Sequence, residues 1–231
     1  MISSISSLKR AQHLNSQIYS LANDRNYSIT EMFSRLHRHT THILKAVRKE
    51  KYDTIEYHLC SALSWSLALA NRLHFDIAEE MWKFFPGICP YCSCAPCVCK
   101  TRRQQRINIP LNTKSRRPVS LSAWQKMFWK IYPNTVQNSA IHLAEEAGEV
   151  DEAIRNHLAT HNNDWFSKIV EELVDTVTNI FAVSSCLKIN LAVSFAEYFS
   201  EGCPGCKSAP CKCGYVTTDQ PISKPFVLRE E

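Results

Sequence analysis

The chain has 231 residues, 45% of them apolar and 21% charged, which is an ordinary balance for a soluble chain able to bury a core. No apolar run approaches the roughly 18 residues of a membrane helix, so no transmembrane helix is expected. A formal charge of +5 is modest, and eleven cysteines are an odd number, which argues against a simple disulfide framework.

In chain order, the first segment, MISSISSLKRAQHL, is basic and Ser-rich but lacks the compact apolar core of a secretory signal. The expected location is the cytoplasm. The stretch LHRHTTHILKAVR, residues 36–48, predicts an amphipathic helix carrying His37, His39 and His42. His39 and His42 share a helix face and have the spacing to grip one metal ion; a solvated His-rich face is the alternative. His37 points to another face. The next helix is marked by the apolar stripe Ile55, Leu59, Ala62, Leu63, Leu69 and Leu73.

The sequence CPYCSCAPCVC follows at 89–99, and CPGCKSAPCKC repeats its pattern at 203–213. Cys89, Cys92, Cys97 and Cys99 match Cys203, Cys206, Cys211 and Cys213 at a constant offset of 114. Four thiolates from one short loop suit closed tetrahedral zinc; an iron-sulfur cluster uses the same ligands at other spacings. Disulfides or free thiols are the remaining alternative. Cys94 faces Ser208 in the comparison and is not required, and Cys60 and Cys186 sit in apolar helical patterns as core residues. Between the knuckles, Lys100, Arg102, Arg103, Arg106, Lys114, Arg116 and Arg117 accompany Pro110 and Pro118 in an acid-free basic linker. It reads as a solvated tether, with phosphate or nucleic-acid contact as the alternative.

The repeat extends beyond the cysteines. At the offset of 114, Ile55, Leu59, Ala62, Leu63, Leu69 and Leu73 lie opposite Ile169, Leu173, Thr176, Val177, Val183 and Leu187. LHRHTTHILKAVR falls opposite LAEEAGEVDEAIR at an offset of 107, the difference being absorbed in the loop around LATHNND. In the second copy the stripe Leu143, Ala147, Val150, Ile154 and Leu158 marks a buried face with Glu146 and Glu149 at its edge. KIVEELVDTVTNIF carries Ile169, Leu173, Val177 and Ile180, with Glu172 and Asp175 at the same angular position and Asn179 one turn beyond. Packed together, these helices aim four carboxylates at one point. Such a cluster needs a divalent cation, and hard oxygen ligands select magnesium or manganese.

The series Glu145, Glu146 and Glu149, followed one helix later by Glu172 and Asp175, resembles the EExxE and ExxD motifs of the MazG-like nucleoside triphosphate pyrophosphohydrolases. LAEEAGEVDEAIR and the phrase LANRLHFDIAEE add to it. The likeness covers 120–200 well and 14–85 weakly, and leaves the cysteine knuckles outside. It implies an all-α fold of two tandem helical repeats packed as an intrachain pseudo-dimer, and a nucleoside triphosphate substrate split into monophosphate and pyrophosphate. Family members usually pair into dimers, so a homo-oligomer is a further possibility.

The implied layout is a degenerate repeat over 1–88, a knuckle over 89–99, the linker over 100–119, the acidic repeat over 120–200, a knuckle over 201–214 and a tail over 215–231. Glu146, Glu149, Glu172 and Asp175 hold metal in this picture, and Glu145 orients or deprotonates water. Lys126 and Lys130, with Trp124, offer phosphate and base contacts. Opposite the four acids stand His39, His42, His58 and Ser61. The first repeat has then either lost its metal or exchanged it for a transition metal suited to imidazole. The alternative to an enzyme is a nucleotide-sensing or scaffold module with structural zinc. A nucleic-acid-binding zinc protein comes last, because the knuckles lack an aromatic pair for stacking bases.

Overall fold

The computed structural model describes residues 7–99 and 117–215, and among these residues it contains eight α-helices and no strand. They are α1 (Leu8–Asn26), α2 (Ile29–Lys49), α3 (Ile55–Arg72), α4 (Ile77–Phe84), α5 (Leu121–Ile131), α6 (Val136–Thr160), α7 (Asn163–Cys186) and α8 (Leu191–Phe199). The starts are written in the chain. Ser7, Ser28, Asp76, Ser120, Thr135, Asn162 and Asn190 each accept a hydrogen bond from a first-turn amide, which satisfies donors that have no partner within the helix. At α2 the cap is reciprocal, because Glu31 bonds back to the Ser28 amide.

The packing is reciprocal too. α2 pairs with α3 as α6 pairs with α7, α1 rests on α3 and α4 as α5 rests on α7 and α8, and α3 meets α8 as α4 meets α7. α2 against α6 and α3 against α7 close the bundle between the two sets of four. One bond repeats to the atom. Gln12 donates to the Phe75 carbonyl at 2.7 Å and accepts from the Ile77 amide at 3.0 Å. Gln125 does the same to the Ile189 carbonyl at 2.7 Å and the Leu191 amide at 3.2 Å. Each glutamine thus pins the short turn between two helices, where buried backbone groups would otherwise be unpaired.

The stripes are buried as their periodicity requires, except that Leu73, at the C-cap of α3, is half-buried and Leu158 lies open. Leu158 is 46% exposed, so the apolar face of α6 ends at Ile154, nearly two turns before the helix does at Thr160. Trp124, a candidate for base contact by sequence, is a core residue: its ring stacks on Phe128 and meets Trp82 edge-on. Its partners on α4 and α5 leave no face for a ligand. No single described helix is long and apolar enough to cross a membrane; α7 and α8 pass such a test only as a pair bent by 106°.

The knuckles are seated across the bundle. The Cys97 amide donates to the Ile131 carbonyl at the end of α5, and the Cys211 amide to the Ile18 carbonyl of α1, both at 2.7 Å. Tyr132 packs edge-on against Phe85, as Tyr19 packs against Phe199. Each knuckle therefore docks on the opening helix of the other set. Of the basic linker, 100–116 lie outside the described residues; Arg117 pairs with Glu79 of α4 at 2.7 Å.

Candidate metal centres

On α6, Glu146 and Glu149 are three residues apart and share a face; on α7, Glu172 lies among the buried residues of that helix. Packing α6 on α7 brings carboxylate oxygens of Glu146, Glu149 and Glu172 within 4.8 Å of one another. Glu172 is buried and Glu149 exposed, so the cluster opens to solvent on one side. Burial first, then the charges of Asp175 and Glu172, push Glu146 up to about 9. Burial also raises Glu172, against the ion pair that Lys168 makes with it from one turn earlier. Without a cation, the cluster therefore keeps a proton that isolated carboxylates would lose at neutral pH. A hard divalent ion fits this donor set and would relieve the repulsion.

The neighbours are less uniform. Asp175 stands close enough to act on Glu146 but outside the group of three mutually close ligand atoms. Asn179 donates one N–H of its amide to the Asp175 main-chain carbonyl at 3.0 Å, and its side-chain oxygen is an acceptor that bond does not use. Glu145 is turned outward and pairs with His142 at 3.0 Å, both more than half exposed. Lys126 and Lys130 are exposed on α5. Lys168 escaped the sequence reading, although its place four residues before Glu172 and three before Glu171 was a signal for it.

At the equivalent place on α2 and α3, imidazoles replace the acids. His39 and His58 are buried, and their Nδ1 atoms lie 3.0 Å apart, so one ring donates a proton that the other accepts. His42 stacks on His58 with ring centroids 4.6 Å apart and planes 11° from parallel. Imidazole lone pairs lie in the ring plane, so those of stacked rings run parallel and do not converge. His39, His42 and His58 do not form one of the three groups of mutually close metal-ligating atoms among the described residues. Burial, then Arg38 and Lys45, hold His42 below the usual imidazole range, which favours the neutral form. His37 is exposed beside Phe33.

The cysteines form the other two groups. In the first knuckle the sulfurs of Cys89 and Cys99 are 3.7 Å apart, those of Cys92 and Cys97 3.9 Å, and those of Cys97 and Cys89 3.4 Å. In the second, Cys203 and Cys213, and Cys206 and Cys211, are each 3.9 Å apart. A tetrahedron of Zn–S bonds of about 2.3 Å has edges of about 3.8 Å. The spacing fits zinc, whereas a disulfide needs sulfurs about 2.05 Å apart, and all eleven cysteines are free. The Val98 amide donates to Cys92 and the Lys212 amide to Cys206, and these bonds lead in pulling each thiol down to about 6. Cys94 bonds the Cys92 carbonyl just as Ser208 bonds the Cys206 carbonyl, so both are loop residues outside the four ligands. Gly202, at φ 93°, admits no side chain, because a Cβ would stand 2.7 Å from the Ser208 backbone. Cys60 is buried as a core residue, while Cys186 is half-buried against the Ser139 hydroxyl and the Asn134 carbonyl.

No family model, curated protein or solved structure matches the chain. The all-helical bundle and the two four-cysteine clusters thus stand on their own geometry.

Proposed function

We propose that this chain is a metal-dependent nucleoside triphosphate pyrophosphohydrolase built from two MazG-like helical repeats, packed as an intrachain pseudo-dimer and followed by one zinc knuckle each. The observation that carries the reading is the convergence of Glu146, Glu149 and Glu172, with Asp175 beside them, on two packed helices. Nothing in a structural helix pair requires four acids there, and the raised Glu146 makes their proximity costly without a cation.

In this reading Glu146, Glu149, Glu172 and Asp175 would hold magnesium or manganese. The ion, when bound, supplies charge to meet the triphosphate and lowers the pKa of a water. Lys168 neutralises Glu172 before the ion arrives and is exposed enough to turn away from it afterwards. Glu145, one residue from Glu146 and on the solvent side, orients the attacking water and takes its proton. The side-chain oxygen of Asn179, and Lys126 and Lys130 on α5, contribute polar contacts to the substrate. The first repeat is a degenerate partner that completes the bundle; the stacked and mutually bonded histidines favour that fate over a transition-metal site. Reduced thiols available for zinc accord with a cytoplasmic location.

A second reading is a nucleotide-sensing or scaffold module without turnover, favoured by the Lys168–Glu172 ion pair, which gives the cluster a countercharge of its own. A panel of nucleoside triphosphates with magnesium or manganese, assayed for pyrophosphate, separates the two. Release of pyrophosphate with at least one of them is expected. Metal-dependent nucleotide binding with no release would leave the sensing module.

A further inference from the structure

α1 has 19 residues and its counterpart α5 has 11. The additional turns carry Asn23 and Asn26 and lead directly into Tyr27. They wall a cavity of about 330 Å³ whose lining also includes His39, Ser61 and Trp65 and, from the second knuckle, Cys203, Cys211 and Cys213. In the repeat alignment His39, Ser61 and Trp65 stand where the second set of helices has Glu146, Asp175 and Asn179. The position occupied by acids in one half is thus an aromatic-walled cavity in the other. No Asp, Glu, Lys or Arg lines it.

The wall is built rather than incidental. Trp65 meets Tyr27 edge-on at 5.6 Å, Arg35 lies over the Tyr27 ring at 5.3 Å and over Tyr215 at 5.7 Å, and Arg72 donates to the Tyr27 carbonyl. Asn23 is 5% exposed and lines the cavity. The Asn26 Nδ2 is buried without a hydrogen-bond partner among the described residues. An unpaired buried amide beside aromatic rings is costly, and a ligand that satisfies it recovers that cost.

We infer that this cavity, beside the second knuckle and apart from the acidic cluster, is a binding site for an uncharged nucleobase or nucleoside. The planar ring lies against the Tyr27 and Trp65 wall, where base–aromatic contact stabilises it, and its polar edge pairs with the amides of Asn23 and Asn26, each of which offers both donors and an acceptor. The absence of lysine and arginine from the lining leaves phosphates without a counter-charge, so this site prefers the uncharged ligand to the triphosphate. The site is separate from the acidic cluster and does not depend on hydrolysis there.

The test is calorimetric titration of the zinc-loaded full chain with adenosine, guanosine, cytidine, uridine and thymidine, in buffer free of magnesium and manganese. At least one should bind at one per chain, no less tightly than its triphosphate. Asn23→Ala and Trp65→Leu should each weaken it at least tenfold, and Glu172→Gln should leave it unchanged. Circular dichroism and zinc content establish that the variants are folded, and in the wild type the Trp65 indole N–H resonance should shift on titration. Absence of binding by all five, binding that survives both substitutions, or binding lost in Glu172→Gln would overturn the assignment. Because no turnover is read and no divalent ion is added, this outcome is independent of the pyrophosphate assay.

Discussion

The Cys97 amide donates to the Ile131 carbonyl at 2.7 Å, seating the knuckle that follows the first four helices on the opening helix of the second four. Cys211 and Ile18 make the same bond in the other direction. Chain order suggests a knuckle appended to each half; the hydrogen bonds make them two reciprocal clasps between halves.

That exchange has a measurable signature. With zinc in both knuckles, elemental analysis should give two zinc ions per chain and no iron or visible absorption. Cys206→Ser should remove one zinc and speed amide exchange in α1, while Cys92→Ser should do so in α5, because short loops fold around their metal and release the helix they hold when it leaves. Faster exchange confined to the preceding helix of the same half would contradict the clasp.

Loss of Glu172 should separate chemistry from fold. Glu172→Gln keeps the shape and removes one anion from the cluster, so turnover should fall by about 10²–10³-fold, the scale of losing one preorganised electrostatic contact. Thermal stability should not fall with it. Unchanged turnover would remove Glu172 from the site.

The raised carboxylates also predict how the metal-free protein responds to pH. Glu146 rises from its ordinary value of 4.5 to about 9 in the fold, so between those values the native state holds a proton that the unfolded chain has released. Stability therefore falls as pH rises through that window, and below it the term vanishes because both states are protonated. Melting curves without divalent ions should show this decline, Glu146→Gln should flatten it, and saturating magnesium or manganese should oppose it while releasing protons. A melting temperature that climbs with pH in the metal-free protein would contradict the assignment.

For the histidines, metal content should be the same in the wild type and in a His39→Ala, His42→Ala double variant across pH 5–8, namely the knuckle zinc alone. Loss of a third metal from the double variant, with occupancy falling below about pH 6, would instead establish an imidazole site.

The paired glutamines give a stability test of the matched packing in the two sets of four helices. Gln12→Ala and Gln125→Ala each leave a backbone carbonyl and a buried amide unpaired, at up to about 1–3 kcal/mol per group, the Phe75 carbonyl being only part-buried. At roughly 2–4 °C per kcal/mol for a chain of this size, each variant should melt several degrees lower, and by similar amounts. A neutral result in either would remove the equivalence.

What was legible from sequence is what short-range geometry dictates. Helical periodicity placed Leu143, Ala147, Val150 and Ile154 on a buried face, because a side chain's direction follows from its position along one helix. The cysteine spacing was readable for the same reason, since four sulfurs within one short loop have few ways to meet. Tertiary structure decided everything that depends on which distant surfaces touch. The orientation of His58 against His39 and His42, the exchange of knuckles and the cavity beside Asn23 each require helices far apart in the chain to pack at a particular angle. Leu158 shows the limit of periodicity, because a stripe continues only as far as another helix covers it. The same pattern that marks a buried face cannot say where the neighbouring surface ends, since that boundary belongs to the partner's shape and not to the stripe.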